Sequence, residues 1–192
     1  MTKFRIQVRN DGFNLLTLSL PFIFFMVIAC MIYFVMPGRT NYRPLIAAGF
    51  ILGVGMGGFV DDILFHQILQ IHNMVSNIIF PDTLVKADIN MFWDGLFHAF
   101  NWVMVLIGII LLWTAIKNPG VPKANKVLAG SIIMGFGTFN FIEGVIDHHL
   151  FKLHHVVQRA VYPVQLYWDL AFLASGIFLI LWGYYLIQKR SM

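Results

Sequence analysis

The sequence predicts an all-α membrane protein with five transmembrane helices. Spans two and three form one helical hairpin and spans four and five a second, around a polar His/carboxylate site near one membrane face. Three observations carry this. The 192 residues are 59% hydrophobic and 11% charged, against roughly 25% charge in a soluble domain. Five apolar runs are each long enough for the roughly 20 residues a span needs. The acids Asp61, Asp62, Asp94, Glu143, Asp147 and Asp169, and all seven histidines, fall inside those runs. Ionisable groups at membrane depth cost several kcal/mol each by the less forgiving measures, and default to a functional reading.

The spans are read at about 14–36, 44–74, 87–116, 126–156 and 164–187, in a single transmembrane domain covering 1–192. Pro37 and Gly38 end the first, which is too long for a cleavable signal peptide. Pro81 and Asp82 mark the turn before the third. Pro119, Gly120 and Pro122 separate the third from the fourth, and Pro163 opens the fifth. The second, third and fourth runs exceed one bilayer thickness and must tilt or project. Lys and Arg divide between Lys3, Arg5, Arg9, Lys86, Lys152 and Arg159 on one side and Arg39, Arg43, Lys117, Lys123, Lys126, Lys189 and Arg190 on the other. That even split leaves the orientation open under the positive-inside rule. The net charge of +4 lies in tails and connections, as topology signals do, so no nucleic-acid partner is expected. Cys30 is the only cysteine, which excludes an intrachain disulfide and a thiolate metal cage.

An internal repeat is expected. At an offset of 82, Phe-Val-Asp-Asp-Ile-Leu-Phe-His (59–66) meets Phe-Ile-Glu-Gly-Val-Ile-Asp-His (141–148). Asp61 pairs with Glu143, His66 with His148, His72 with His154, and Gly53 and Gly55 with Gly135 and Gly137. At an offset of 75, Phe92-Trp93-Asp94 meets Tyr167-Trp168-Asp169. Two hairpins of the same orientation imply a pseudo-twofold axis along the membrane normal, with a shared site at the interface.

Spans two and four end in polar residues, and spans three and five begin with them. Hairpin geometry therefore collects the groups at one end of a four-helix bundle. Helical spacing pairs Asp62 with His66 and Asp94 with His98, at i,i+4. It sets Asp61 and His72 on one stripe, about 16 Å apart along the axis, with Glu143 and His154 repeating it, and puts His148 and His155 on one face. Lys152 is the one fixed cation among these carboxylates, so a metal cation would balance them and use the imidazole nitrogens. Mixed His/carboxylate sets in helical bundles suit iron, zinc, manganese or copper(II). The expected metal ligands are Asp61, His66, His72, Asp94, His98, Glu143, His148 and His154, holding one or two ions. Asp147, His155 and Asp169 are ligands or imidazole acceptors behind them. Asp62 and His149 have no partner in the other repeat and rank last.

Gly53-Val-Gly55-Met-Gly57-Gly58 matches G-x-G-x-x-G but sits in an apolar span with no preceding strand. Gly49, Gly53 and Gly57 read instead as a small-residue packing face. The segments GGFVDDILFHQILQIHNM (57–74), FWDGLFHAF (92–100) and FNFIEGVIDHHLFKLHHV (139–156) resemble a bacterial membrane-protein family known as domain of unknown function number 2243. The resemblance implies a multi-pass protein of the bacterial inner membrane and brings no activity with it. The family pattern has Gly where this chain has Asp62, which weighs against Asp62 as a ligand.

The leading functional expectation is a membrane-embedded metal-dependent oxidoreductase acting on an apolar or amphipathic substrate, such as a lipid or a quinone-like compound. A haem-binding electron carrier with bis-His ligation, a metal-dependent membrane hydrolase and a metal or proton transporter are the alternatives. A transporter needs a polar path through the bilayer. Leu106–Leu112 and Ile177–Leu181 are apolar apart from Gly108, which argues against one.

Overall fold

A computed structural model describes residues 40–189. Four long helices account for most of them, and no strand occurs among the described residues. The span expected at 14–36 lies outside the described residues. Helix α1 runs Arg43–Val60, with Pro44 in its first turn, where a missing N–H costs nothing. Its winding loosens into a π-helical segment, Asp61–Ile68. Helix α2, Leu84–Lys117, starts at Thr83, whose hydroxyl accepts the Lys86 N–H. Helix α3, Asn125–Glu143, is likewise followed by a π-helical segment, Gly144–Leu150. Helix α4, Val164–Gln188, follows Pro163. All four, taken with their π-helical ends, are long and apolar enough to cross a membrane.

In space the order is α2, α1, α3, α4: each helix packs on its neighbours in that series. The central pair, α1 and α3, is mostly buried. The outer pair presents large apolar side chains, among them Trp102, Trp113, Phe178 and Leu181, on its outer face. The central pair is close because two glycines allow it. A Cβ on Gly53 would lie 2.0 Å from the Ile132 carbonyl oxygen, and one on Gly135 would lie 2.1 Å from that of Phe50. Gly49 and Gly57 also face α3, at Ser131 and Phe139. Main chains in such contact gain van der Waals packing that no side chain could supply in lipid.

The two central helices stop earlier than their apolar runs. Helical geometry ends at Ile68 and Leu150, not near 74 and 156. The chain then turns through Gln70 and Lys152, both left-handed, with φ of 51° and 50°. Non-glycine residues there carry roughly 1–2 kcal/mol of strain, and the usual glycine signal for a helix end is missing. The connections fold back under the bundle, where Met74, Val75, Leu153 and Val156 are buried. That burial keeps the sequence apolar beyond the helix, which is why it reads as span. The connections also bond to each other: Asn77 N–H donates to Leu153 O (2.9 Å) and Gln158 N–H to Ile71 O (3.1 Å).

This corrects two expectations. Asp61 and His72 do not lie on a 16 Å helical stripe; the returning connection places His72 Nε2 3.6 Å from Asp61 Oδ1. Glu143 Oε1 and His154 Nε2 are likewise 3.5 Å apart.

Candidate metal centre

Four imidazoles form the centre: His66 and His148 from the π-helical segments, His72 and His154 from the connections. All are at most 2% exposed. His72 and His154 stack face to face, centroids 4.6 Å apart. His66 meets His72 edge-on at 4.6 Å, and His148 meets His154 edge-on at 4.8 Å. A π-helical turn adds about one residue to the α-helical turn. In these segments it accompanies the inward placement of His66 and His148 toward the returning loops.

Three of the four rings are held from behind; His148 Nδ1 is buried without a hydrogen bond. Nδ1 of His72 donates to Val156 O (2.8 Å) and Nδ1 of His154 to Met74 O (3.1 Å). Nδ1 of His66 donates to Asp94 Oδ1 (2.9 Å). Asp94 also accepts Met74 N–H (2.8 Å) and Asn73 Nδ2 (2.8 Å), tying the first connection to the start of α2. Asp169 accepts Val156 N–H (2.9 Å) and His155 Nδ1 (2.6 Å), and its Oδ1 lies 3.7 Å from His148 Nδ1. With Nδ1 donating, Nε2 of His66, His72 and His154 keeps its lone pair for something else. Ligating histidines are anchored in this manner by carboxylates and carbonyls.

The inner atoms have no such partners. Nε2 of all four histidines, both Asp61 oxygens, Glu143 Oε2 and Asp147 Oδ1 are buried without a hydrogen-bond partner. Asp61 Oδ2 is 3.0 Å from His66 Nε2 but outside hydrogen-bonding geometry. The Asp61 and Glu143 carboxyls are near neighbours. Buried polar atoms are almost always satisfied, and an orphan costs about 1–3 kcal/mol, more when charged. Here the orphans cluster around two triads that share His154. One ring nitrogen from each of His66, His72 and His154 lies within 4.8 Å of the others, as do one donor atom each of Glu143, His148 and His154. Ligands about 2.0–2.2 Å from one ion are at most about 4.4 Å apart, so a modest inward shift would close either set. Burial, then neighbouring His72 and His148, hold the His154 imidazole well below its ordinary pKa, in the neutral form a metal requires.

The expected site residues thus divide. Asp61, His66, His72, Glu143, His148 and His154 come together. Asp94 and Asp169 stand behind them, and Asp147 is buried beside them. His155 lies on Asp169. His98 faces away: it is half-buried, and its Nδ1 donates to Asp62, which is fully buried and also accepts Gln67 Nε2 (3.2 Å). The i,i+4 pairs expected within helices are therefore exchanged between them, His66 with Asp94 and His98 with Asp62. His149 donates to Gly144 O. The anchoring carbonyls of Met74 and Val156 carry no side-chain signal that the sequence could have offered. Asn73 did carry one: it holds on Asp94 the place that His155, 82 residues on, holds on Asp169.

Fold and site define a multi-helix membrane protein with a buried histidine/carboxylate cluster at one end of its bundle. The chain belongs to the family of predicted membrane proteins DUF2243, whose model matches residues 48–190. No curated protein and no solved structure matches it.

Proposed function

We propose that the cluster holds one or two transition-metal ions, and that the protein is a membrane-embedded metal-dependent oxidoreductase acting on an apolar or amphipathic substrate. The observation that carries this is the clustering of orphaned Nε2 and carboxylate atoms, with three of the four rings held from behind through Nδ1. The proposed ligands are His66, His72, His148, His154, Asp61 and Glu143. Asp94 and Asp169 orient imidazoles, and His98 is left out. Iron and copper fit such donors and bring redox chemistry; zinc would fit a hydrolase. Stacked His72 and His154 favour small ions over haem, whose axial ligands approach end-on from opposite faces.

The same proposal includes duplication of a hairpin, in a single domain of the bacterial inner membrane. Its support is that contacts recur at the sequence offsets. His72 to Val156 O answers His154 to Met74 O, Gly53 on Ile132 answers Gly135 on Phe50, and Gln70 answers Lys152 in the left-handed region. His66 lies near Phe97 as His148 lies near Phe172.

Elemental analysis and a visible spectrum of one purified sample test the metal. We expect near-stoichiometric transition metal without a Soret band, and its loss in His72→Ala and Glu143→Ala. Full occupancy in both variants would reject the ligand set.

A further inference from the structure

A cleft of about 730 Å³ lies on one side of the centre, with His66 and Asp94 in its wall. It falls within the range of small-molecule sites, roughly 300–1,000 Å³. Three features say what it takes.

The first is Gly95, in the cleft wall and inside α2. A Cβ built there meets nothing within 4 Å, whereas the helix-interior glycines of the bundle press on neighbouring atoms. Glycine inside a helix costs up to about 1 kcal/mol relative to alanine. At Gly95 no packing contact accounts for it, and what it keeps open is the cleft.

The second is a pair of acceptors. Asn90 is 1% exposed and lines the cleft; its Nδ2 donates to the Ile79 and Lys86 carbonyls, while its Oδ1 is buried without a partner. His98, also lining the cleft, spends its Nδ1–H on Asp62, so its Nε2 accepts. Both atoms call for a molecule that donates, which an ionised carboxylate or a phosphodiester cannot do. The wall carboxylate of Asp94 disfavours anions further, and the cleft's cation, Arg159, is exposed.

The third is access. Met91 lines the cleft, and Leu84, Val85, Met91 and Phe92 are exposed apolar side chains at this end of α2, suited to lipid.

We infer that this cleft is the substrate pocket of the centre and takes an uncharged, bilayer-dissolved aromatic diol, a hydroquinone. Its hydroxyls donate to Asn90 Oδ1 and His98 Nε2, and its ring lies over Gly95 against the His66–Asp94 pair. The pocket role rests on the metal reading, since His66 is then the one imidazole between diol and ion.

The test is calorimetric titration of a short-chain alkyl hydroquinone into the full chain in nanodiscs, with metal content assayed on the same samples. Wild type and Gly95→Ala should bind saturably. Gly95→Phe should bind at least tenfold more weakly with unchanged metal content, and His98→Leu should be weakened too. Phosphatidylglycerol in the nanodisc should not compete. Metal-bearing wild type without saturable binding overturns the assignment. So does full binding by Gly95→Phe, or displacement of the hydroquinone by phosphatidylglycerol. Saturable, Gly95-dependent binding to a protein that carries no metal supports the hydroquinone site and retires the metal reading instead.

Discussion

Replacing Asp94 with Asn separates an anchored imidazole from a merely buried one. Asp94 accepts three hydrogen bonds, from His66 Nδ1, Met74 N and Asn73 Nδ2. Asparagine keeps the shape but offers one acceptor oxygen and one donor group. If its oxygen stays on His66 and Met74, its amide opposes the Asn73 amide. If it flips, it opposes His66 Nδ1–H and favours the tautomer with the proton on Nε2, the atom proposed to bind metal. Loss of such an orienting carboxylate costs 10–100-fold in metal affinity, which is about 1.4–2.8 kcal/mol at 1.4 kcal/mol per tenfold. Hydrogen bonds to a charged acceptor add roughly 1.5–3 kcal/mol each to stability, so the melting temperature falls as well. The assay is competition with a chromogenic chelator at pH 7.5, beside thermal unfolding in detergent. A variant that melts lower yet binds metal as tightly as wild type would refute the orienting role and leave Asp94 only a tether for the connection. The same substitution at Asp169 should weaken metal less, because His148 Nδ1 stands 3.7 Å away.

Three further outcomes are expected. Gly53→Ala and Gly135→Ala force a Cβ against a main-chain carbonyl and should each lose about 1–3 kcal/mol of stability, read as a lower melting temperature; Gly95→Ala, facing open space, should lose none. In chelator-treated protein the His154 imidazole should cost stability as pH falls below about 6.5, the ordinary imidazole value: it stays neutral when folded, so the unfolded chain takes up the proton first and unfolding is favoured. Between pH 8 and 5.5 the melting temperature of wild type should therefore fall relative to that of His154→Gln; an equal change in both would contradict this. Asp82, held below the usual carboxylate range by the Lys86 ammonium beside it, is exposed, and Asp82→Asn should leave metal content and melting temperature unchanged.

The outer helices were legible because their signals coincide. Expected bounds of 87–116 and 164–187 meet observed helices at Leu84–Lys117 and Val164–Gln188, where proline and capping residues bracket an apolar run. The central helices were not, because burial of the returning connections prolongs the apolar pattern past the last helical turn. Spacing along an ideal helix then misjudged His72 and His154, whose positions depend on left-handed turns at Gln70 and Lys152. The order of polar ends along the chain was enough to bring most of the ionisable groups together, as His66 with Asp94 and His98 with Asp62 show. Which imidazole meets which carboxylate is decided across α1 and α2, where spacing within one helix carries no information.

The two halves of the molecule also differ, and some of the differences fall at the cleft. Under the proposed duplication, Asp62 and His98 correspond to Gly144 and Leu173. Those two meet as well, for a Cβ on Gly144 would lie 3.2 Å from the Leu173 side chain. A polar pair in one half thus stands where the other has a small residue against a large one. Gly95 corresponds to Leu170, a side chain where the first half has open space. His98 and Gly95 line the cleft, and Asp62 is buried behind His98. The second half carries leucines where the first has Gly95 and His98 in the cleft wall. Divergence at that wall is expected if a substrate reaches the proposed ion site from the cleft side. Introducing Leu at Gly95, the residue the second half already carries, should therefore close the cleft while leaving the imidazole cluster and its metal content unchanged.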